Sequence, residues 1–424
     1  MSYENELIEF INSSPTAFHT VKSVKDALIN AGFTEVCEGS PKSFSDGGKH
    51  FVIRQDSSII AFKGKGNGFM ICASHSDSPC FKVKDELSGA SYTRLATEKY
   101  GGMIHYTWLD RPLSVAGRAV VKTDGGVKTV LVNIEKAALT IPSVAIHLNR
   151  SVNDGYKFNP AVDLLPFIGT ADVNGAFLKA IADEAGVKPE DIISRDLFLY
   201  NAERGRIIGI GDEFILAPRI DDLGCVYSSL RAFIDAPETD KAVSVLAVFD
   251  NEEVGSETKQ GASSTFLDMT LRAIAGGEEK YSAMLYNSFM VSADNAHALH
   301  PNHPELSDGT HAPIIGGGIV VKYNANQRYT TDAVSDGIFI TMANRAGARL
   351  QKFSNRADIV GGSTLGSISN TRVSVSTIDI GLPQLAMHSA TETAAASDLS
   401  DMIKVLTELY SSGIEKRCDE INIL

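Results

Sequence analysis

Two adjacent glutamates, Glu252 and Glu253, follow an uncharged apolar run in "AVSVLAVFDNEEVGS" (242–256). The run is typical of a strand that is buried on both faces. Neighbouring side chains at the end of a strand point in opposite directions, so one carboxylate can bind a metal ion while the other transfers a proton. The alternative is a solvated loop, because carboxylates are common at exposed strand ends.

Four other segments place metal-ligating residue types next to predicted apolar strands or helices. They are "SHSD" with His75 and Asp77, "RIDDLGC" with Asp221 and Asp222, "SADN" with Asp294, and "AMHS" with His388 between a strand and a helix. In a His-x-Asp pair, the carboxylate can bind the second ring nitrogen of the histidine and fix its tautomer. The alternatives are helix capping by one of the adjacent aspartates and a structural role for a lone histidine.

Together these segments have the composition of a metal centre, in the chain order His, Asp, Glu-Glu, Asp, His. Two histidines and three carboxylates, one of them bridging, suffice for two zinc-like ions. Nitrogen and oxygen ligands without thiolates suit catalytic zinc, cobalt or manganese. Paired ions about 3.5–4 Å apart activate water and stabilise a tetrahedral intermediate. In open α/β sheets, such sites lie at the carboxyl ends of strands.

The composition of the chain argues against several classes of protein. Its 424 residues are 43% hydrophobic, which is enough for a large core and favours more than one domain. A net charge of −13 without a Lys/Arg cluster argues against binding of nucleic acid or of an anionic membrane. No segment has the pattern of a signal peptide or a membrane span. The cysteines include no CxxC pair, so we expect no disulfide framework and a cytoplasmic location.

The elements that must position these residues divide the chain into two parts. The segment "NSSPTAFHTVKSVKDALINAGF" predicts a helix that begins near Ser14 and ends at Gly32, and residues 50–79 predict three strands. After residue 85 the chain holds turn-separated β patterns and one helical pattern, and from Phe198 apolar strands and helices alternate again. The simplest arrangement is an α/β domain of residues 1–85 and 198–424, interrupted by a β-rich insert of residues 86–197.

The chain resembles the M18 family of metallo-aminopeptidases, the aspartyl aminopeptidase group, along almost its whole length. The matching segments are "SHSDSPCFKVK", "YGGMIHYTWLDRPLSVAGRAV", "VAIHLNR", "EFILAPRIDDLGC", "FDNEEVGS", "SADNAHALHPN", "VKYNANQRY" and "AMHSATET". The resemblance implies a dinuclear zinc-peptidase domain with a mixed central sheet flanked by helices, and a dimerisation role for the β-rich insert. It also implies two divalent ions per subunit, peptide substrates with a free and often acidic N-terminal residue, and a homo-oligomer such as a dodecamer built from dimers.

The resemblance further implies a role for each member of the candidate metal set. Asp221 is the bridging ligand, His75 and Asp294 bind one ion, Glu253 and His388 bind the other, Glu252 is the general base, and Asp77 supports catalysis as the partner of His75. Asp222 receives no role.

Three residues outside the metal set receive substrate-binding roles from the resemblance. Lys322 matches a lysine that faces the acidic side chain of the substrate, and Tyr329 matches a tyrosine of the site. His147, in the insert, matches a histidine that reaches a neighbouring subunit's site and donates a hydrogen bond to the oxygen that becomes negative during hydrolysis. From the sequence alone, Lys322 also fits a surface lysine and His147 an ordinary loop histidine.

Two further patterns have weaker links to chemistry. Gly316–Gly318 is similar to a phosphate-binding loop, but no GK[ST] follows it. The stretch from His297 to His311 holds four histidines whose spacing matches no metal-ligand pattern, so we expect surface or supporting roles for them.

The sequence therefore predicts a dinuclear metallo-aminopeptidase in which Glu252 takes a proton from activated water and passes it to the leaving amine. Two alternatives remain open. One is a related dinuclear amidohydrolase, such as a deacylase or a carboxypeptidase, and the other is a non-catalytic scaffold that self-assembles. Only an aminopeptidase requires a free amine at the N-terminus of its substrate.

Overall fold

A computed structural model describes residues 2–40, 44 and 47–424 of the chain. The α-helices of these residues are α1 (Tyr3–Ser13), α2 (Ala17–Asn30), α3 (Ala176–Ala185), α4 (Ile220–Asp235), α5 (Phe266–Ala275), α6 (Glu278–Tyr286), α7 (Ala333–Ala346), α8 (Leu365–Ser369) and α9 (Ala396–Ser411).

The strands of the same residues are β1 (Thr34–Glu35), β2 (His50–Arg54), β3 (Ser58–Lys63), β4 (Phe69–His75), β5 (Cys80–Leu87), β6 (Tyr92–Tyr100), β7 (Leu113–Thr123), β8 (Gly126–Asn133), β9 (Phe167–Thr170), β10 (Ile192–Asn201), β11 (Arg206–Ile208), β12 (Phe214–Ala217), β13 (Val243–Phe249), β14 (Phe289–Ala293), β15 (Ala296–His297), β16 (Ile319–Tyr323), β17 (Leu350–Ser354), β18 (Ser376–Gly381), β19 (Pro383–Leu385), β20 (Glu392–Ala395), β21 (Ile414–Arg417) and β22 (Glu420–Ile423).

The largest sheet has nine strands in the order β1-β2-β3-β13-β4-β14-β18-β16-β17. Its central strands β13, β4, β14 and β18 are parallel neighbours, and antiparallel pairs flank them. Every residue of β4, β13 and β14 is buried, as their uncharged apolar patterns predict. The carboxyl ends of these strands therefore meet at one edge of the sheet.

Helices cover both faces of this sheet and bury two apolar cores against it. Because side chains alternate along a strand, Met70 and Cys72 of β4 belong to one core, whereas Phe69 and Ile71 belong to the other. Residues of α4, α7 and α9 join the first core, and residues of α5 and α6 join the second. The predicted α/β fold with a mixed central sheet flanked by helices is confirmed.

A second sheet has six strands in the order β8-β7-β10-β5-β6-β9, and all of its neighbouring strands are antiparallel. It has a core of its own, in which the rings of Phe81 and Trp108 meet edge to face at 5.2 Å. Its last strand ends at Asn201, whose side-chain amide donates to the carbonyl of Ala390 and to the hydroxyl of Thr391, both at 2.9 Å. The boundaries of the insert at residues 86 and 197 stay a prediction.

Two smaller sheets complete the chain. One has five strands in the order β11-β12-β20-β19-β15, and the other pairs β21 with β22. His388 lies between β19 and β20, and the helix expected after it, α9, begins only beyond β20. The segment after His388 instead pairs with β12 as a strand before α9 begins.

The first predicted helix begins later than expected. Ser14 ends α1, and α2 starts at Ala17. Pro15 separates the two helices because proline has no backbone N–H group with which to continue a helix. No helix in the described part of the chain is both long and apolar enough to cross a membrane.

Candidate functional site

The ends of three neighbouring parallel strands bring most of the predicted metal ligands together. His75 is the last residue of β4, Asp294 directly follows β14, and Glu253 lies in a 3₁₀ turn after β13. Asp221, at the start of α4, and His388, between β19 and β20, complete the cluster. The five residues therefore converge at the sheet edge, although up to 313 residues of sequence separate them.

Asp221 lies at the middle of this cluster. One of its oxygens, Oδ1, is 3.5 Å from Nε2 of His75, and the other, Oδ2, is 3.4 Å from Nε2 of His388. The same nitrogen of His75 is 3.9 Å from Oδ1 of Asp294, and the same nitrogen of His388 is 3.4 Å from Oε1 of Glu253. The arrangement has two halves, and each half contains one histidine, one other carboxylate and one oxygen of Asp221.

The spacing of these atoms fits metal ligation. Nitrogen and oxygen ligands of a tetrahedral zinc ion, each about 2.1 Å from the metal, are about 3.4 Å apart. The separations at Asp221 are longer than the usual 2.7–3.2 Å of a strong hydrogen bond. Oδ1 of Asp221 is buried and has no hydrogen-bond partner among the described residues. Because a buried carboxylate oxygen normally has a partner, the donor set fits a divalent cation.

The charges of the cluster are strongly coupled. Burial lowers the pKa of His75, but nearby carboxylates, first of all Asp222, raise it well above its usual value. Burial also lowers the pKa of His388, whereas Asp221 and Glu253 raise it to about 10. For Asp221 itself, burial raises the pKa, but the two histidines bring it below its usual range. Negative charge dominates this buried site, and a bound cation would neutralise it.

The adjacent glutamates lie in a 3₁₀ turn (Glu252–Val254) and not at the strand end itself. Their side chains diverge because successive residues of a 3₁₀ helix are about 120° apart, and strand alternation is not the cause. Burial, followed by the carboxylates of Asp294 and Asp77, raises the pKa of Glu252 to about 8, although His75 opposes the shift. Burial and Asp221 raise the pKa of Glu253 well above its usual value.

Asp77 connects the loop after His75 to the turn that carries the glutamates. Its carboxylate accepts the backbone N–H groups of Glu252 (3.1 Å) and Glu253 (3.2 Å) and the hydroxyl of Tyr100 (2.6 Å). Nδ1 of His75 is 3.0 Å from the carbonyl oxygen of Asp77 and 3.4 Å from its carboxylate. The backbone carbonyl is therefore the nearer acceptor for His75, and the carboxylate mainly holds the glutamate turn.

Asp222 supports the same loop from the other side. Its Oδ2 accepts the backbone N–H of His75 at 3.1 Å, and the peptide bond between Asp221 and Asp222 is cis. The N-cap position of α4 is Arg219, which makes no side-chain capping hydrogen bond, whereas Asp221 and Asp222 have non-helical backbone angles at a kink inside the element. The alternative that one of these aspartates caps the regular part of α4 stays a prediction.

Lys322 lies inside the protein next to the metal cluster. Only 3% of the residue is exposed, so the alternative of a surface lysine is wrong. Its ammonium group is 3.3 Å from Oδ2 of Asp294 and lies 5.5 Å from the ring centre of Tyr329, which is itself buried. Burial lowers the pKa of Lys322, but Asp294 raises it above its usual value, so the side chain is charged.

The glycine pattern at Gly316–Gly318 is not a phosphate-binding loop in this structure. The backbone N–H groups of Gly316 and Gly318 donate to the two carboxylate oxygens of Asp398 at 2.7 and 2.8 Å. A buried side chain of the same chain therefore occupies the anion position of this loop. Among the described residues, no cluster of possible metal ligands includes a histidine of the stretch from His297 to His311.

His147 lies in an exposed turn between β8 and β9. None of the clusters of possible metal ligands in the described chain contains it. Its neighbours Val144, Ile146 and Leu148 are apolar and 56%, 48% and 83% exposed. Within one subunit, His147 is thus part of an exposed and largely apolar segment.

Two site residues have no counterpart in the sequence prediction. Glu392, in β20, is buried and binds the backbone of two cluster residues, and Tyr100, in β6, binds Asp77. A weak signal for Glu392 exists in "ATETAAA", where a single acidic residue stands in a short strand-like run of small residues. This pattern alone does not identify Glu392 as a site residue, because its partner Asp221 is far away in the sequence.

Comparisons with known proteins agree with this geometry. The family model described as "Aminopeptidase I zinc metalloprotease (M18)" matches residues 10–410. A relative from Clostridium acetobutylicum, named "Probable M18 family aminopeptidase 2", is 44% identical over an alignment that covers 97% of this chain and 99% of that protein.

Solved structures give the same result. A chain in the cryo-EM structure of the Ape4 and Nbr1 complex matches with a TM-score of 0.93 and 33% identity, covering 96% of this chain and 85% of that one. A chain of the S. cerevisiae mApe1 dodecamer matches with a TM-score of 0.84 and 28% identity, covering 96% of each chain. The chain therefore belongs to the M18 family of metallo-aminopeptidases.

Proposed function

We propose that this metallo-aminopeptidase binds two divalent ions, most favourably zinc, and removes acidic N-terminal residues from peptides with Glu252 as the general base. The observation that carries the dinuclear proposal is the position of Asp221, whose two oxygens face two different histidines at 3.5 and 3.4 Å. A carboxylate with this arrangement can bridge two ions. Cobalt and manganese accept the same nitrogen and oxygen donors.

Each half of the cluster supplies the remaining ligands of one ion. His75 and Asp294 would hold the first ion, Glu253 and His388 would hold the second, and Asp221 would serve both. Divalent ions in such a site polarise the scissile carbonyl and lower the pKa of water. Asp77 keeps the turn with Glu253 in place through the backbone hydrogen bonds at its carboxylate.

Glu252 is the carboxylate of the pair that has no ligand role in this scheme. It takes a proton from the attacking water and later delivers it to the leaving amine. Its support is its place in the same 3₁₀ turn as Glu253 and close to His75, since one ligand atom from each of His75, Glu252 and Glu253 lies within 4.8 Å of the others. The turn lets one residue hold an ion while its neighbour remains free for proton transfer.

Lys322 and Tyr329 account for the acidic preference. A net charge of −13 repels acidic peptides at long range, so the preference must come from a local contact. A buried ammonium group provides that contact for the side chain of an N-terminal Asp or Glu residue. Asp294 pairs with Lys322 at 3.3 Å and would also hold the first ion. Its negative charge would then be shared, and the positive charge of Lys322 would be only partly balanced.

We also propose that the chain forms a homo-oligomer, such as a dodecamer built from dimers, in which residues 86–197 form the dimer contacts and His147 completes a neighbouring subunit's site. The exposed apolar residues around His147 support this proposal, because such a surface is typical of a protein interface. The related mApe1 chain comes from a dodecamer. A cytoplasmic location is proposed because all five cysteines are free.

A panel of aminoacyl amides tests the reaction, its specificity and its cofactor together. Metal-free protein receives zinc, cobalt or manganese and is assayed on substrates that begin with Asp, Glu or Leu, each with a free or an acetylated amine. We expect cleavage only of free amines, a preference for Asp and Glu, and full activity at two ions per subunit. Cleavage of acetylated substrates would instead identify a deacylase.

A further inference from the structure

A single buried carboxylate holds the backbone at two of the cluster residues. Glu392, of which 2% is exposed, accepts the N–H of Asp221 at Oε2 (2.9 Å) and the N–H of His388 at Oε1 (2.7 Å). The amide of Gln384 donates to the same Oε1 at 3.3 Å. Both oxygens of the carboxylate are therefore engaged.

The two residues that Glu392 joins belong to separate elements. Asp221 lies in the first turn of α4, 171 positions away from Glu392, whereas His388 lies in the short loop before β20. Their side chains face each other at 3.4 Å, between Oδ2 of Asp221 and Nε2 of His388. Glu392 therefore links the backbones of Asp221 and His388, while the side chains of the same two residues face each other.

The conformation of His388 explains why its backbone needs such support. Its φ angle is +66°, in the left-handed region that residues other than glycine rarely adopt. Its ring is fixed separately, since Nδ1 is 2.7 Å from the carbonyl oxygen of Gly102. With the ring bound at one end and the N–H bound at the other, Nε2 has a defined position toward Asp221.

We infer that Glu392 is a positioning residue of the metal centre, which sets the separation of Asp221 and His388 and so the affinity for the ion they share. The inference rests on the proposed function, because it takes these two residues as ligands. Among the described residues, Glu392 belongs to none of the groups of possible metal ligands. It acts on metal affinity only through the backbone of the two ligands.

Glu392→Gln is the sharpest change at this position. A carboxamide has one acceptor oxygen, and its NH₂ group can only donate. One of the two backbone N–H groups then meets a donor and loses its partner inside the protein. Changes to groups that orient metal ligands typically lower metal affinity or activity 10–100-fold. We expect a loss in this range for one ion and a smaller effect on the ion at His75 and Asp294.

The chain offers a matched control in Asp398. This carboxylate is also buried and also accepts two backbone N–H groups, from Gly316 and Gly318, but it has no hydrogen bond with a cluster residue in the described chain. Asp398→Asn makes the same chemical change away from the metal ligands. It should affect thermal stability as much as Glu392→Gln does, while the metal dissociation constants stay at wild-type values.

The experiment measures the two zinc dissociation constants by competition with a chromophoric chelator, for wild type, Glu392→Gln and Asp398→Asn. The visible spectrum of cobalt-loaded protein reports on ligand geometry, and the activity of Glu392→Gln should recover at saturating zinc. If Glu392→Gln does not fold, Glu392→Asp replaces it. The shorter side chain keeps both acceptor oxygens but cannot reach both N–H groups, so a smaller loss of affinity is expected.

Wild-type zinc affinities and an unchanged cobalt spectrum in a folded Glu392 variant would overturn the inference. So would an equal loss in Asp398→Asn, because the effect would then be general destabilisation. The proposed function fails separately, since that failure appears in the wild-type protein as fewer than two ions or as no preference for acidic substrates. The affinity comparison between variants does not depend on any substrate.

Discussion

The cluster at the strand ends and the loop around His147 present opposite surroundings. In the cluster, Asp221 and His75 are almost fully buried, and hydrogen bonds from several elements hold their neighbours. In the loop, apolar side chains such as Leu148 are exposed to water. One subunit therefore brings all of the candidate metal ligands together, whereas the apolar side chains of its His147 loop remain exposed.

The largest expected effect distinguishes the roles of the two adjacent glutamates in the cluster at the strand ends. Glu252→Gln should lower kcat about 10²–10⁴-fold, the usual contribution of a general base, while metal analysis still finds about two ions per subunit. Glu253→Gln should instead reduce metal occupancy. Glu257, exposed in the segment that follows the turn, provides a control in Glu257→Gln, which should keep both ions and activity. A stripped Glu252→Gln and a fully loaded Glu253→Gln would reverse the assignment.

The next effect tests whether the exposed loop belongs to catalysis at all. His147→Ala should lower kcat about 100- to 1000-fold, which is the contribution of one donor to a developing oxyanion, and should leave metal content unchanged. Mixing His147→Ala with Glu252→Gln under conditions of subunit exchange tests whether His147 acts in the site of a neighbouring subunit.

If His147 acts across a subunit boundary, some mixed interfaces pair an intact His147 with an intact Glu252, and activity should partly return. Each variant alone, treated identically, is the control. Demonstrated exchange without recovery would place His147 in its own subunit's site or outside catalysis.

A smaller effect concerns specificity within the buried region. Lys322→Ala should lower kcat/KM for Asp and Glu substrates by about 30- to 1000-fold more than for a Leu substrate, which corresponds to roughly 2–4 kcal/mol for a buried ion pair. Lys352, exposed on the neighbouring strand β17, is a matched control, and Lys352→Ala should change neither value. Equal losses on Asp and Leu substrates would exclude Lys322 from recognition.

The smallest effect tests the hydrogen bonds behind the glutamate turn. Tyr100→Phe removes the hydroxyl that donates to Asp77 at 2.6 Å and accepts from Asn251 at 2.8 Å. The free energy of unfolding should fall by about 1–3 kcal/mol, because Asp77 loses a partner in a buried site. Denaturant titration measures this loss. Tyr106 is 66% exposed, and Tyr106→Phe should stay within about 0.5 kcal/mol of wild type.

The sequence predicted the strands of the central sheet and the residues at their ends, because a strand covered on both faces requires an unbroken apolar run. The runs that end at His75, Phe249 and Ala293 are the clearest cases, and the structure brings their ends together. The same logic did not reach Glu392 or the burial of Lys322. Their positions depend on partners far away in sequence, which local patterns do not report.

The exposure of the loop around His147 could not be predicted from the sequence for a different reason. Val144, Ile146 and Leu148 in "SVAIHLNRSVND" recur at every second position, the period of a half-buried strand, yet in the structure they lie exposed in a turn region. Whether these side chains are covered depends on the arrangement of the whole chain and not on the local sequence. The role of His147 therefore stays a prediction that the mixing experiment decides.

The second sheet is attached to the metal site at both of its ends. Its chain leaves just after Asp77, which binds the glutamate turn, and returns at Asn201, which binds Ala390 and Thr391 beside Glu392. The two attachments lie close to the two histidines of the cluster, since the carbonyl oxygen of Asp77 is 3.0 Å from Nδ1 of His75 and Thr391 follows His388 by three positions. The second sheet is therefore fixed to the candidate site by hydrogen bonds at both of its ends and not by the chain alone.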